Sequence, residues 1–430
     1  MQLKEQRFAC ISGSLMIASQ TLMAPAQANW NSPEQQWQTD AALLYYGEDN
    51  DRVTAVEGAL KAVRTDADGQ TLSLAATIDS LTGATPTGAV PQNRAQTFTR
   101  PSGRGAYTTA AGQTPLDDTF RDTRVQLNAG WAATLNPDWD YDLAGHLSRE
   151  YDYTSFGISG GATRHFDRKN TSLRFGTALF FDTIEPEGRI PLPLSIMPLR
   201  QDFPDDAAFA AAFQATRGNA KAHKTTAELT LGLSQVINRS MVMQLNYSLA
   251  SVDGYQTDAF KLVSVVNHDG VSLRQLYESR PEERLRHALF WHTKIHLGAP
   301  MLDMSYRFMS DDWDIDSHTV DLRLNWRFEN GHTLEPHLRY YQQSAAGFYR
   351  PFLMEGQPVP EFASADYRLA DMDTYTVGLK YVWPMDQHQI SARLEYYLQQ
   401  PEGPPGPGEL AGLELYPEVR ALMLQLGYRF

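Results

Sequence analysis

Long apolar runs are missing from this chain of 430 residues. After residue 28 none is long enough for a membrane-crossing helix, which takes about 20 predominantly apolar residues. Cysteine is almost absent; the single one, Cys10, stands near the start. Everything downstream is therefore without a disulfide framework or a cysteine-ligated metal, which suits an exported protein needing no redox handling. Positive charge is in short supply: 37 Lys and Arg face 51 Asp and Glu, a formal net charge of −14. A nucleic acid partner would require a basic face, so none is expected. Mean hydropathy is −0.42, an average that resembles a soluble protein. A transmembrane barrel hides from that average, because its strands show lipid only every second side chain.

The first 28 residues are of a different kind. Lys4 and Arg7 make a basic start, "FACISGSLMIASQTLMAPA" is apolar and rich in small residues, and Ala26–Ala28 form a small-x-small cleavage pattern. Ser12, Ser14, Ser19 and Gln20 make the run too polar for a stable span. The expectation is a signal peptide over 1–28, cut after Ala28, and a single outer-membrane barrel domain over 29–430. Loss of Lys4, Glu5 and Arg7 takes the mature chain to about −15. Cys10 goes with them and lacks the leucine-anchored context of a lipoprotein site.

What is abundant is alternation. Leu422, Leu424, Leu426, Tyr428 and Phe430 share one face, against Met423, Gln425, Gly427 and Arg429 on the other. Val320, Leu322, Leu324, Trp326 and Phe328 oppose Asp321, Arg323, Asn325 and Arg327 in the same way. Segments of about ten residues match the length of a tilted strand that crosses a bilayer. A soluble sandwich also alternates, but with shorter strands. Trp326, Phe328, Trp383, Tyr428 and Phe430 fall near strand ends, where an interfacial girdle sits.

Turns supply a second regularity. "DADG", "NPDW", "DRKN", "NRS", "GAP", "ENGH" and "PMDQ" are tight hairpin signals. Between them come mostly longer connections, 81–118, 185–223, 254–283, 347–371 and 401–415, with brief ones at 47–52, 151–152 and 311–316. The pattern predicts an all-β, antiparallel, up-and-down transmembrane barrel of the outer-membrane type with about 16 strands. They are placed at 36–46, 53–65, 70–80, 119–134, 138–150, 153–166, 171–184, 224–237, 240–253, 284–297, 301–310, 317–328, 332–343, 373–383, 388–399 and 417–430. Helical character is expected only within 202–223.

The polar parity of the later strands is rich in charge. Candidate lumen-lining residues are Arg284, Arg286, His292, Lys294, Asp303, Arg307, Asp321, Arg323, Glu335, His337, Arg339, Arg393 and Glu395. Such a wall is either a stiffening salt-bridge lattice or the selectivity surface of a pore; both readings stay open. Loops 185–223 and 254–283 are long enough to fold inward, and "FKLVSVV" (260–266) is apolar enough to be an inserted segment.

Other chemistries find less support. His292 and His296 lie four apart, roughly 13 Å on a strand, so one metal cannot take both. Asp311, Asp312 and His318 form an outer-rim acidic cluster that could activate water, hold calcium, or simply be solvated. The parity of His318 is that of the lipid face. No G-x-S-x-G motif is present, and "GISGGAT" belongs to a strand rather than to a phosphate loop.

Several stretches, "SREYDYTSFGISGG", "QLNYSLASVDGYQTD", "DMSYRFMSDDWDIDSHTVDLRLNW" and "PHLRYYQQSAAGFYRPF" among them, resemble a family of predicted Gram-negative outer-membrane barrels catalogued as a domain of unknown function. The resemblance implies the barrel and the outer-membrane location but supplies no activity. From the family's gene surroundings it also implies a small lipoprotein or redox assembly as partner; separately, the aromatic terminus Phe430 on the last strand resembles the signal read by the machinery that inserts outer-membrane barrels. Against the family pattern, Asp314 stands where glycine is more usual and Gly347 where an acidic residue is. The expected protein is a non-enzymatic, porin-like channel or assembly scaffold with no cofactor and no metal. Its partners are the lipid bilayer and the barrel insertion machinery. The alternative is a surface hydrolase at the acidic rim or a structural partner of an exported lipoprotein.

Overall fold

The computed structural model describes residues 37–50 and 52–430, and only the backbone of 118–120. The expected signal peptide and Cys10 lie outside the described residues. Sixteen strands close into one antiparallel barrel. They are β1 (Trp37–Glu48), β2 (Thr54–Thr65), β3 (Thr71–Pro86), β6 (Leu116–Asn136), β7 (Trp139–Arg149), β8 (Tyr153–Phe166), β9 (Thr171–Ile184), β10 (Ala222–Asn238), β11 (Met241–Gly254), β14 (Glu283–His296), β15 (Pro300–Asp311), β16 (Asp316–Arg327), β17 (Thr333–Gln343), β19 (Asp371–Met385), β20 (His388–Glu402) and β21 (Val419–Arg429). Every strand pairs with its neighbour along the chain, and β21 closes on β1 through Asp40↔Arg429 to Glu48↔Ala421. An Arg429–Asp40 ion pair at 2.6 Å lies on that seam. Closure removes the two edges an open sheet would expose.

The alternation is realised as two faces. Leu43, Leu60, Ile78, Leu127, Phe156, Phe175, Leu289, Leu338, Val377 and Leu424 are exposed large apolar residues along the wall. In a barrel this outward belt is what meets hydrocarbon. Aromatic pairs mark the rim of tight turns: Trp326 on Phe328, Tyr381 on Trp383, Tyr428 on Phe430. A second set, Tyr247 with His287, Tyr306 with His318 and Tyr340 with Tyr375, lies on the same outward parity.

The two rims differ in kind. Connections such as Asp66–Gln70 and Phe328–His332 are closed by their own backbone hydrogen bonds; Gly69 takes the left-handed φ of 82° such a turn needs. The opposite rim carries the long connections, and these are built structures. Strands β3 and β6 run on past the expected ends into a tall hairpin, from which β4 (Gln96–Thr99) and β5 (Ala106–Thr109) branch. A ten-residue helix, Asp206–Ala215, is capped by Asp205, whose side chain accepts from the Ala208 amide. Strands β12 (Leu262–Val266), β13 (Ser272–Tyr277) and β18 (Leu353–Met354) form a separate three-stranded sheet.

Candidate functional site

The long loops roof the mouth of the barrel. The connection after β3 leaves the third wall strand, and that after β11 leaves the ninth, well around the cylinder. They meet all the same. Leu262 donates to the Thr87 carbonyl at 2.8 Å, Val90 to the Ser264 hydroxyl at 3.0 Å, and the Gln92 amide bridges Gly270 and Ser272. The connection after β20 joins through Glu409 N–H to Asp269 O at 2.8 Å, and that after β17 by parallel pairing of β18 with β12.

Apolar residues from these loops make cores of their own. Val90, Val266 and Leu410 pack together, as do Ala89, Phe98, Met197, Leu262 and Tyr277. A third cluster, with Trp313, Ile315, Phe348 and Leu369, rests on Ala288 and Met309 of the wall itself. Val263, Val266 and Ser264 have no exposed surface. The segment 260–266 is thus the middle strand of a cap rather than a lone inserted loop.

Beneath this sheet lies a network of buried charge drawn from two loops. Arg280 bridges Glu278 at 2.6 Å and Asp366 at 2.9 Å, all three side chains fully buried. Arg368 bridges Asp366 and, at 3.0 Å, Asp258. Lys261 is held by the Pro86 carbonyl and the Thr85 hydroxyl. Burial alone would raise the Asp366 carboxyl, but the charges of Arg368, Lys261 and Arg280 hold it well below the usual range. Asp258 is buried too; the charges of Lys261, Arg368 and Arg280 outweigh that and lower it. Burial lowers Lys261. Pairs of this kind add little net stability but are costly to break.

The inward face of the wall carries the expected charges in rows. Lys294, Asp303, Arg323 and His337 stand opposite one another across β14 to β17, and Glu395 follows beyond Gly378. His337 is hydrogen-bonded to Asp321 at 2.9 Å and to Glu395 at 2.8 Å. The second contact passes over Gly378, where a side chain would collide with Glu395. Arg393 reaches Glu335 at 3.0 Å and Glu395 at 3.3 Å; His292 and Lys294 both hold Asp303. Arg284 pairs with Asp311 near the cap. For these residues the wall is a lattice of opposite charges.

Arg286, Arg307 and Arg339 are different. Among the described residues no carboxylate lies within ion-pair distance of them, and the Nε atoms of Arg286 and Arg307 are buried without a partner.

The acidic rim does not assemble as a unit. Asp311 binds Arg284 and accepts from the Trp313 and Ile315 amides, which makes it the organiser of its turn. Asp312 accepts from the Leu285 amide, and His318 is bonded to Tyr306 at 2.8 Å on the outward face. Each is engaged separately. Phe430 donates its N–H to Thr39 and packs on Tyr428. Charge on the inward parity is not confined to the later strands. Asp79–Arg124, Asp142–Arg174 and Asp182–Lys224 extend the lattice through the first half; the same parity rule would have found them. At the loop rim the carboxylates of Asp122, Glu150 and Asp152 approach within 4.8 Å, a grouping that no spacing in the sequence announces. Asp122 accepts from the Tyr151 amide at 3.2 Å, and acidic groups of this kind need no ion to explain them.

A closed barrel with an apolar belt, a charged lumen and one capped mouth defines a protein of the outer-membrane barrel class. The chain belongs to the family described as protein of unknown function (DUF3570), matched over residues 12–430. No curated protein sequence matches it. Among solved structures it is similar to the siderophore receptor PirA from Pseudomonas aeruginosa, with 8% identity and a TM-score of 0.37, covering 86% of this chain and 57% of that one. The outer membrane protein opdK from Pseudomonas aeruginosa has 9% identity and a TM-score of 0.37, covering 92% and 99%. The FrpB iron transporter from Neisseria meningitidis has 10% identity and a TM-score of 0.42, covering 92% and 83%. The chain spans little more than half the length of the siderophore receptors it matches. Similarity of this degree says nothing about what this chain binds or passes.

Proposed function

We propose that this protein is a solute channel of the outer membrane that is shut at rest by its own loops. The carrying observation is the roof: loops from distant parts of the wall hydrogen-bond across the mouth and bury a common core. Among the described residues the opposite rim has tight turns, too short to span the lumen. In this reading the chain is exported by the 1–28 signal peptide and folded by the barrel insertion machinery, for which Phe430 is the signal. The cap faces the outside and the tight turns the periplasm. The charged wall keeps the lumen wet, because water and paired partners make those charges affordable.

Planar-bilayer recording tests this. Full-length protein is expected to be mostly silent, with rare openings. A variant in which 258–278 is replaced by a short Gly-Ser linker is expected to conduct steadily. If the uncapped barrel is silent too, the channel reading fails. The role of structural partner to an exported lipoprotein then leads, and co-purification from membranes addresses it.

A further inference from the structure

The lumen wall carries many charges, and in the lattice described above each basic group has an acid. Three arginines break that rule on neighbouring strands. Arg307, on β15, stands opposite Phe290 and Thr319, both neutral. Arg286, on β14, is opposite Asp311, which Arg284 already holds. Arg339, on β17, is opposite Asp321, whose oxygens serve His337 and Arg323. The nearest acid of two of them is thus committed elsewhere, and the third faces none.

The three share one stretch of wall. Phe290, opposite Arg307, is four positions from Arg286 on its strand. Tyr341, reached from Arg307 through Thr319, is two from Arg339. Arg286 lies four positions toward the cap from the row of Arg307 and Arg339 two positions toward the tight turns, so they flank Arg307 from opposite sides, and each must extend its guanidinium along the wall to approach it. Arg286 and Arg339 both act electrostatically on Arg307; Glu228, beyond β11, is a carboxylate whose field also reaches it. Glu228 has interactions of its own. The buried, unpartnered Nε atoms of Arg286 and Arg307 are donors with nothing to donate to, an unfavourable state in a folded protein. Neutral hydroxyls stand on the same face: Thr319 and Thr374 in the row of Tyr341, and those of Tyr341 and Tyr397, which donate to Gln343 and Gln399. Planar guanidinium forks beside hydroxyls are the chemistry that holds carboxylate and phosphate oxygens.

We infer that Arg307, flanked by Arg286 on its cap side and Arg339 on its turn side, is the centre of an oxyanion-binding site on the lumen wall, taking a carboxylate or a phosphate group. This deepens the channel reading by naming the class of solute, and it rests on that reading only for transport; binding stands by itself. A protein of net charge −14 repels anions at long range, so a local site of this kind is what would let an anionic solute dwell in the lumen.

The test is titration calorimetry on full-length protein in detergent with three probes: inorganic phosphate, succinate, and tetramethylammonium as the cation control. The expected result is saturable one-to-one binding of at least one oxyanion and none of tetramethylammonium. Phosphate without succinate, or the reverse, identifies which oxygen group the site takes. Arg307→Gln is expected to weaken binding about tenfold or more, Arg307→Lys less so, and Arg200→Gln, in an exposed loop pair with Asp206, not at all. Folding of each variant is checked by heat-shifted gel mobility, and Arg339→Gln serves if Arg307→Gln does not fold. Absence of binding by both oxyanions, or unchanged binding in folded Arg307→Gln or Arg339→Gln, overturns the inference. A barrel that binds phosphate but never conducts removes the channel reading and leaves this one; a barrel that conducts and binds neither does the reverse.

Discussion

The carboxylate of Asp314 fills the space that a side chain at Gly347 would need; an added Cβ would collide with its Oδ2. Asp314 itself holds a left-handed φ of 63°, where glycine is the usual occupant. A carboxylate at 347 would meet that of Asp314 in the same space, while the left-handed backbone at 314 is strained by any side chain it carries. Gly347→Asp is expected to lower stability by about 1–3 kcal/mol, since it crowds two like charges. Asp314→Gly is expected to be mild, and the double exchange to recover most of the loss. Thermal unfolding in detergent, read as a double-mutant cycle, checks this; additive effects would remove the coupling.

The cap should tolerate moderate acid. Asp366 sits well below the ordinary carboxylate range and Asp258 below it too, burial being outweighed in both by neighbouring cations. A carboxylate depressed in the folded state contributes fully above its unfolded value, about 4. The contribution is lost as pH falls through the folded value. Hydrogen exchange, corrected for its intrinsic pH dependence, is expected to leave 255–282 protected from pH 7 to about 4 and to show loss only below that. Opening near pH 6 would count against the assignment.

Removing one member of that network should be far worse than acid. Arg280→Met strands Glu278 and Asp366 without their shared cation, at a cost of about 3–5 kcal/mol. The expected readout is local: protease cleavage within 255–282 and 347–371 while the barrel keeps its heat-shifted mobility. Loss of the barrel itself would mean that cap and wall fold as one unit.

Loop docking gives a gentler handle on gating. Gly408, at φ 50°, lies against the Asp269 backbone, and an added Cβ would overlap it. Gly408→Val is expected to undock the connection after β20 from the 267–271 turn, costing about 1–3 kcal/mol. Openings in bilayer recordings should become roughly tenfold more frequent or greater. Unchanged gating would show that this contact is not part of the closure.

The wall was legible because its rule is local. Alternation from Leu422 to Phe430, or from Val320 to Phe328, can be read in a ten-residue window, and all sixteen expected strands have counterparts in the barrel. The cap was not legible, because its rule is not local. Nothing near Val263 says that it will pack against Ala363, or near Asp258 that Arg368 will answer it. Those partners are separated by about a hundred residues of chain that must first be wound into a cylinder. Arg307 and Arg323 look alike in sequence, both basic on the inward parity. Asp321 stands two positions before Arg323 on its own strand, but only the register shows that Arg323 also faces Asp303 while Arg307 faces Phe290 and Thr319. His318 was assigned to the outward parity by alternation, and it lies there, against Tyr306 and Phe308.

The roof also sets an order of events. Its core draws on residues from Val90 to Leu410, so it has no seat until the staves that carry those segments stand side by side. Assembly must therefore run wall first and lid last. A molecule halted midway would be a leaky cylinder rather than a sealed one, and the finished lid certifies from outside that every stave beneath it is in place.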